Sequence, residues 1–284
     1  MIIKRFKHRI ALLLIIVFVF SFNAEAQQFR PNTEIGVLLG TSYYLGDLNT
    51  THFNNSSIAA GLIVRKNFDR RFSYKAELLY LNLNANDKND ATDTIAVDRG
   101  LHFRSPVYEL SAQIEFNFLP YDPGNPLYTW TPFIYTGISL FYFNPQAENN
   151  KGEWVDLQPL GTEGQGTAIV GSEKYSLTQV AIPLGGGIKI AVNPSFNIIL
   201  EYGIRKTFTD YLDDVSTNFV GNSPGTSLST YPNEMSNEAE LMSDPLGTHV
   251  KGEQRGDPNE NDWYSFAGIT LSFKLSNKTK GCDY

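Results

Sequence analysis

The sequence predicts an all-β protein: an eight-stranded antiparallel transmembrane outer-membrane β-barrel with long extracellular loops. Three observations predict it. The chain opens with a leader of export type, eight later segments alternate apolar and polar residues, and the connections between those segments alternate short and long. The composition agrees: 284 residues are 42% hydrophobic and 19% charged, with 15 Tyr and 19 Phe against 3 Met, an aromatic-rich, β-leaning mixture. A formal net charge of −7 argues against the basic face of a nucleic-acid binder. One cysteine excludes a disulfide framework and a cysteine-based zinc site. A mean hydropathy of −0.24 excludes a multi-span helical protein but not a barrel, whose lumen and loops are polar.

The leader comes first. Lys4, Arg5, Lys7 and Arg9 precede an unbroken apolar run, Ile10 to Phe20, and Ala24-Glu25-Ala26 follows as an A-x-A site. This is the three-part plan of a secretory signal peptide. The run is too short for a membrane anchor, which needs about 20 apolar residues. Residues 1–26 are therefore expected to be a cleaved signal peptide and 27–284 an outer-membrane barrel domain. No cysteine near the cleavage site offers a lipoprotein attachment point. With no long apolar segment further on, the exported chain is either soluble or a barrel.

The clearest strand is Val107 to Phe118. Tyr108, Leu110, Ala112, Ile114, Phe116 and Phe118 share one face, and Val107, Glu109, Ser111, Gln113, Glu115 and Asn117 the other, a strict period of two. Similar alternation runs through Ile35–Tyr43, Ala60–Arg65, Phe72–Tyr80, Gln179–Ile190 and Leu200–Arg205. Segments 129–143 and 263–275 are strand-like with less cleanly split faces. Most of these strands are expected to span about 9–13 residues, the length a tilted strand needs to cross a bilayer.

The connections supply independent information. Asp69-Arg70-Arg71, Pro120 to Tyr128 and Asn193-Pro194-Ser195 are short or turn-rich, whereas 46–57, 85–100, 144–174 and 208–262 are long. Turns at one rim and loops at the other are the outer-membrane pattern. Periodicity alone also fits a soluble eight-stranded lipocalin-type barrel; the aromatic rims and one-sided long loops favour the membrane. The polar faces carry Arg65, Lys75, Glu77, Glu109, Glu115, Lys189, Glu201 and Arg205, and both signs suit a lumen cross-linked by ion pairs. Glu115→Gln is then expected to cost little, provided its neighbours re-pair. Eight strands give a barrel just wide enough for its own side chains to fill, which argues against a pore.

Candidate chemistry is sparse. Asp210-Tyr-Leu-Asp213-Asp214 and Asp257-Pro-Asn-Glu-Asn-Asp262 are acidic loops; the second lacks the Gly and Glu of a calcium loop, so both are expected to be solvated. Gly161-Thr-Glu-Gly164-Gln-Gly166 has no following Lys-Ser/Thr and no βαβ setting, against a phosphate loop. No G-x-S-x-G occurs, and Ser105 near His102 is a pairing that chance explains. No catalytic, cofactor or metal site is expected. The segment 208–262, rich in Asn, Ser, Pro, Gly and acidic residues, is expected to build no second core, with Gly221 to Asp244 open to protease and Tyr211 and Trp263 at the rim. Cys282 falls in a short polar tail on the periplasmic side. In that oxidising compartment, with no second cysteine in the chain, it is expected to pair with another molecule.

Several runs together resemble the PorG-like outer-membrane barrel proteins associated with type IX secretion. They are Gly40-Thr-Ser-Tyr-Tyr-Leu-Gly-Asp-Leu-Asn49, Phe103-Arg-Ser-Pro-Val-Tyr-Glu-Leu-Ser-Ala-Gln113, Glu-Phe-Asn-Phe-Leu-Pro-Tyr121, Thr131-Pro-Phe133 with Phe141-Tyr-Phe-Asn-Pro145, Leu157 to Gly166, Arg205 to Ser216, and Trp263-Tyr-Ser-Phe-Ala-Gly268. The resemblance spans nearly the whole mature chain and implies a non-enzymatic part of a secretion machine that contacts periplasmic lipoprotein ring proteins. The partners expected are thus outer-membrane lipid and that ring, with no nucleic acid and no small-molecule substrate. The rival expectation is a surface adhesion or ligand-binding barrel that works through the loops 144–174 and 208–262.

Overall fold

A computed structural model describes residues 29–89, 94–168, 170–220 and 235–275. The expected signal peptide and Cys282 lie outside the described residues. From Pro31 onward the chain forms one compact unit. Among the described residues, eight long strands build its wall: β1 (Asn32–Leu45), β2 (Ser57–Asn67), β3 (Phe72–Asn86), β4 (His102–Asn117), β5 (Trp130–Phe143), β8 (Thr178–Asn193), β9 (Phe196–Thr207) and β10 (Trp263–Leu275). Two short strands, β6 (Gln146–Glu148) and β7 (Trp154–Asp156), form a hairpin in the connection after β5. Every neighbouring pair is antiparallel, and the β1–β10 and β3–β4 pairings complete a closed ring.

The register gives the barrel's dimensions. From Tyr142 it runs through Tyr108, Tyr80, Ala60, Leu39, Ile269, Leu200 and Ile188 back to Pro132 on β5, a shear of ten residues. Eight strands with that shear tilt by about 40° around a backbone radius of about 8 Å. Such a cylinder is filled by its own side chains.

The two faces separate as the alternation requires. Along β4, Tyr108, Leu110 and Ile114 are exposed on the outside while Glu109, Ser111, Gln113 and Glu115 are buried inside. Aromatic girdles bound the outer apolar belt. Tyr80, Tyr108 and Tyr142 make one row, and Phe68, Phe72, Phe118, Trp130 and Phe273 ring the other end. From Tyr108 to Phe118 the rise is about 25 Å along the axis at that tilt, the height of an outer-membrane apolar band. Above Tyr80 the outer face of β3 changes to Asn82, Asn84 and Asn86. The strands therefore project beyond the hydrocarbon, which is why they reach 11–16 residues rather than the shorter length expected.

The poorly split segments also find their reason. Phe133, Phe141 and Phe143 of β5 and Tyr264 and Phe266 of β10 point inward and are buried, so both faces of these strands are largely apolar. Phe141, Phe143, Tyr264 and Phe266 belong to an apolar layer that fills the lumen near the long-loop rim, with Leu38, Leu79, Leu81, Leu83, Phe103 and Val107, whereas Phe133 packs with Tyr135 and Ile199 nearer the short turns.

Turns 68–71, 118–129 and 194–195 lie at one end, and connections 46–56, 87–101, 144–177 and 208–262 at the other. Among the described residues, the long connections carry a 3-10 turn at Asp87–Asn89 and three short α-helices, α1 (Thr94–Arg99), α2 (Leu157–Leu160) and α3 (Asn237–Ser243). Ser236 caps α3 by accepting from the Ala239 amide, a standard N-cap. Segment 208–262 departs from expectation. Its described parts turn inward, and Leu212 and Val215 join the luminal apolar layer, fully buried. Two apolar residues flanking Asp213-Asp214 outweigh the polar composition, because the carboxylates find partners inside. Of the stretch expected to be open to protease, residues 221–234 lie outside the described residues and Asn237–Ser243 is helical.

Candidate functional site

The site is the filled lumen and the cap of long loops above it. All eight luminal residues singled out by the alternation lie in the barrel interior and are buried. In the half nearer the short turns, Arg65 is the first junction. Its Nε and NH2 donate to Glu115 at 2.7 and 3.1 Å, and NH1 donates to Glu34 at 3.2 Å. Lys189 Nζ donates to the same Glu115 at 2.6 Å. Lys75 binds Glu201 and lies 3.5 Å from Glu77. Nearer the long loops, Arg205 donates to Glu109 at 3.0 Å and to Glu77 at 3.3 Å, and Tyr264 donates to Glu109 at 2.7 Å.

Cross-strand register explains why the network must span the lumen. Arg65 and Lys75 stand directly opposite each other on β2 and β3, a like-charge pair that is unfavourable alone. Glu115 and Glu201 arrive from β4 and β9 to separate them. Aromatic faces complete the cations' surroundings: Lys75 Nζ lies 4.3 Å from the Tyr135 ring centre, Lys189 Nζ 4.7 Å from Phe133, and the Arg205 guanidinium 4.5 Å from Phe266. Glu34 is the member that sequence reasoning left out. The alternation already puts it on the polar face of β1 with Leu38 and Ser42; its pairing in register with Arg65 is what adds it to the network.

Above the apolar layer the loops close the mouth through a second polar cluster. The Tyr44 hydroxyl lies 2.6 Å from Asp213 Oδ2 and 2.7 Å from Asp262 Oδ1. Burial pushes both carboxyls well above the ordinary aspartate value; the charge of Asp47 adds to the shift of Asp213, and that of Asp213 to the shift of Asp262. A tyrosine has one hydrogen to give, so two short contacts require one of the pair to carry a proton of its own. Asp214, bonded to Thr162 and Tyr175, is pushed up to about 6 by burial, against the opposing pull of Arg255. Glu163 accepts from the Ser216 and Thr217 amides and from Arg255 at 2.9 Å. Arg99 grips Asp87 with two bonds of 2.9 Å and donates to the carbonyls of Asp47 and Arg255.

These contacts correct the expectation of solvated acidic loops for Asp210 to Asp214 and for the end of Asp257 to Asp262, since Asp213, Asp214 and Asp262 are buried. They also give Gly161 to Gly166 a structural use, because Thr162 and Glu163 bind the 208–262 connection. Tyr211 stacks on Tyr175 at 4.6 Å. Ser105 and His102 are not brought together: Ser105 faces the lumen and accepts from the Asn144 amide, whereas His102 lies on the outer face and accepts from Glu148 N. Among the described residues, no cluster of three or more His, Cys, Asp or Glu side chains is arranged to hold a metal ion.

An apolar belt of bilayer height, an ionic lumen and a closed ring of eight antiparallel strands define an integral outer-membrane β-barrel, and that is the class of this protein. The chain belongs to the family described as Domain of unknown function (DUF6089), whose model matches residues 8–161. No curated protein matches it. Among solved structures it is similar to neisserial surface protein A (NspA), with 8% identity, a TM-score of 0.41, and coverage of 87% of this chain and 99% of that one. It is also similar to Ail, the attachment invasion locus protein of Yersinia pestis, solved with the heparin analogue sucrose octasulfate (7% identity, TM-score 0.41, 87% and 100% covered). A third is the outer membrane protein OprG from Pseudomonas aeruginosa (9% identity, TM-score 0.37, 88% and 99% covered).

Proposed function

We propose that this barrel is a non-enzymatic component of an outer-membrane protein secretion machine of the type IX, PorG-like kind, which anchors or docks a periplasmic lipoprotein ring. The observation that carries this reading is the doubly filled interior. Ion pairs occupy the membrane-spanning lumen and apolar side chains the mouth, an arrangement suited to a fixed membrane element and ill suited to conduction. The ordered sequence runs that resemble the PorG-like proteins supply the specific part. On this reading the short-turn rim faces the periplasmic ring, the luminal ion pairs keep that rim rigid, and Cys282 supplies an intermolecular disulfide to the partner.

The test is deletion of the gene, scored for cargo and for partners. The reading expects signal-bearing cargo trapped in the periplasm, and a periplasmic lipoprotein that co-purifies with the barrel from mildly solubilised outer membranes. A non-reducing gel adds a second readout: a heavier band that collapses on reduction and vanishes in Cys282→Ser. Normal export would overturn the secretion reading. The second reading, surface adhesion or ligand binding, draws on the ordered hairpin β6–β7, where Arg104 lies 3.8 Å over the half-exposed Trp154; lost adhesion with normal export would favour it.

A further inference from the structure

On the lipid-facing wall of β1, β10, β9 and β8, the register stacks four rungs. Leu39, Ile269, Leu200 and Ile188 form an exposed apolar rung. Thr41, Ala267, Tyr202 and Gly186 form the next one towards the long loops. Three of these four residues are small, and a groove of about 620 Å³ opens there in the barrel wall. Tyr43, Ser265, Ile204 and Leu184 follow, and then Leu45, Trp263, Lys206 and Ile182. From the shear and tilt, the rung of Thr41, Ala267, Tyr202 and Gly186 lies about 8–17 Å below Tyr142, across the middle of the apolar belt, whereas Trp263 and Lys206 stand within about 4 Å of that girdle residue's height.

A second cavity, of about 720 Å³, lies at that upper level. Its polar lining includes Asp47, His52, Lys206, Asn259, Glu260 and Asn261, and Trp263 forms part of its wall. The 46–56 connection folds down the outside of the barrel to help build it. Tyr43 faces the lipid side yet is fully buried there. Its hydroxyl lies 2.6 Å from the Tyr202 hydroxyl and 2.9 Å from His52 Nδ1, and Phe53 packs 4.9 Å from its ring. An apolar groove at acyl-chain depth thus rises to a polar cavity at headgroup depth, on the same three strands.

We propose that this surface is a binding site for one phosphorylated glycolipid of the outer leaflet, with an acyl chain in the groove and the head in the cavity above. The groove is continuous with the lipid-facing belt and apolar, so hydrocarbon is the occupant its surroundings supply. The cavity's chemistry selects the head. Lys206, whose Nζ lies 5.7 Å from the Trp263 ring centre, provides a cation for phosphate, the Asn259 and Asn261 amides donate to and accept from sugar hydroxyls, and the Asp47 and Glu260 carboxylates accept from them.

The experiment uses the full barrel, delipidated in detergent and then incubated with a phosphorylated diglucosamine lipid or with phosphatidylcholine; bound lipid is counted by native mass spectrometry. Wild type should retain one glycolipid and release phosphatidylcholine. Ala267→Leu fills the groove and Lys206→Glu reverses the head charge; each should weaken retention by about tenfold or more. Both positions face outward, and heat-modifiable migration confirms that each variant folds. If Ala267→Leu does not fold, Lys206→Glu decides alone. Equal retention by folded variants, or retention of phosphatidylcholine to the same extent as the glycolipid, would overturn the proposal.

Discussion

Glu115→Gln is the substitution whose cost the structure raises most above the sequence expectation. Re-pairing was the condition for a small cost, and the geometry denies it. Glu115 takes two bonds from Arg65 and one from Lys189, with Lys75 a further 4.0 Å away. Arg65 keeps Glu34, and Lys75 keeps Glu201 and Glu77, but among the described residues Lys189 has no other ion-pair partner. A glutamine keeps one acceptor and turns an NH2 group towards a cation. Three charge-assisted bonds are affected, each worth about 1.5–3 kcal/mol, and loss of one partner from a buried ionic cluster costs about 3–5 kcal/mol. The assay is reversible urea unfolding in phospholipid vesicles, followed by Trp fluorescence and by the heat-modifiable gel shift. Adding Lys189→Met to Glu115→Gln removes the stranded charge and should restore most of the loss, so the double-mutant cycle should show strong coupling. A Glu115→Gln barrel within about 0.5 kcal/mol of wild type, or a cycle with no coupling, would refute this account of the lumen.

Three further outcomes follow from the geometry. Ile114→Arg places a cation on the lipid face between the girdles and should cost about 2–4 kcal/mol in the same unfolding assay. The cap should weaken as pH rises: burial raises the folded-state pKa of Asp47 and Asp214 to about 6 and holds those of Asp213 and Asp262 well above the ordinary aspartate value. The folded cap therefore binds more protons than the unfolded chain above about pH 4, and its stability, complete below that value, is lost as pH climbs through 6 and beyond. The contribution is read as a wild-type melting temperature that falls from pH 5 to pH 8 more steeply than that of Asp262→Asn. Removing the Arg99 clamp with Arg99→Met should free the Asp87 carboxylate and loosen the mouth, seen as faster hydrogen exchange in segments 46–56 and 208–220 with the strand amides unchanged.

The strands were legible in the sequence wherever one face was apolar and the other charged, as in Val107 to Phe118. Legibility failed where the lumen itself turned apolar: Phe133, Phe141 and Phe143 mimic the lipid side, so period two loses contrast along β5. The network's charged residues were visible because a charge on a strand that spans the membrane has only the lumen to face. Glu34 stands on the polar face of β1 by the same alternation, but only the β1–β2 register shows that it pairs with Arg65. The cap was the least legible part. Asp213 and Asp214 carry the composition of a solvated loop, and only the buried Tyr44, Thr162 and Tyr175 hydroxyls, distant in sequence, make their burial sustainable.

The central claim is that alternate residues of one strand face lipid and a packed ionic lumen. Spin labels placed singly at positions 108, 110, 112, 114 and 118 of β4 and its following turn, in a Cys282→Ser background and in phospholipid vesicles, test it most directly. Oxygen should collide often and a water-soluble nickel chelate rarely at 110, 112 and 114, with chelate access rising towards 108 and 118, about 25 Å apart along the axis. High chelate access at 112 and 114 would place this face in water and contradict the membrane barrel.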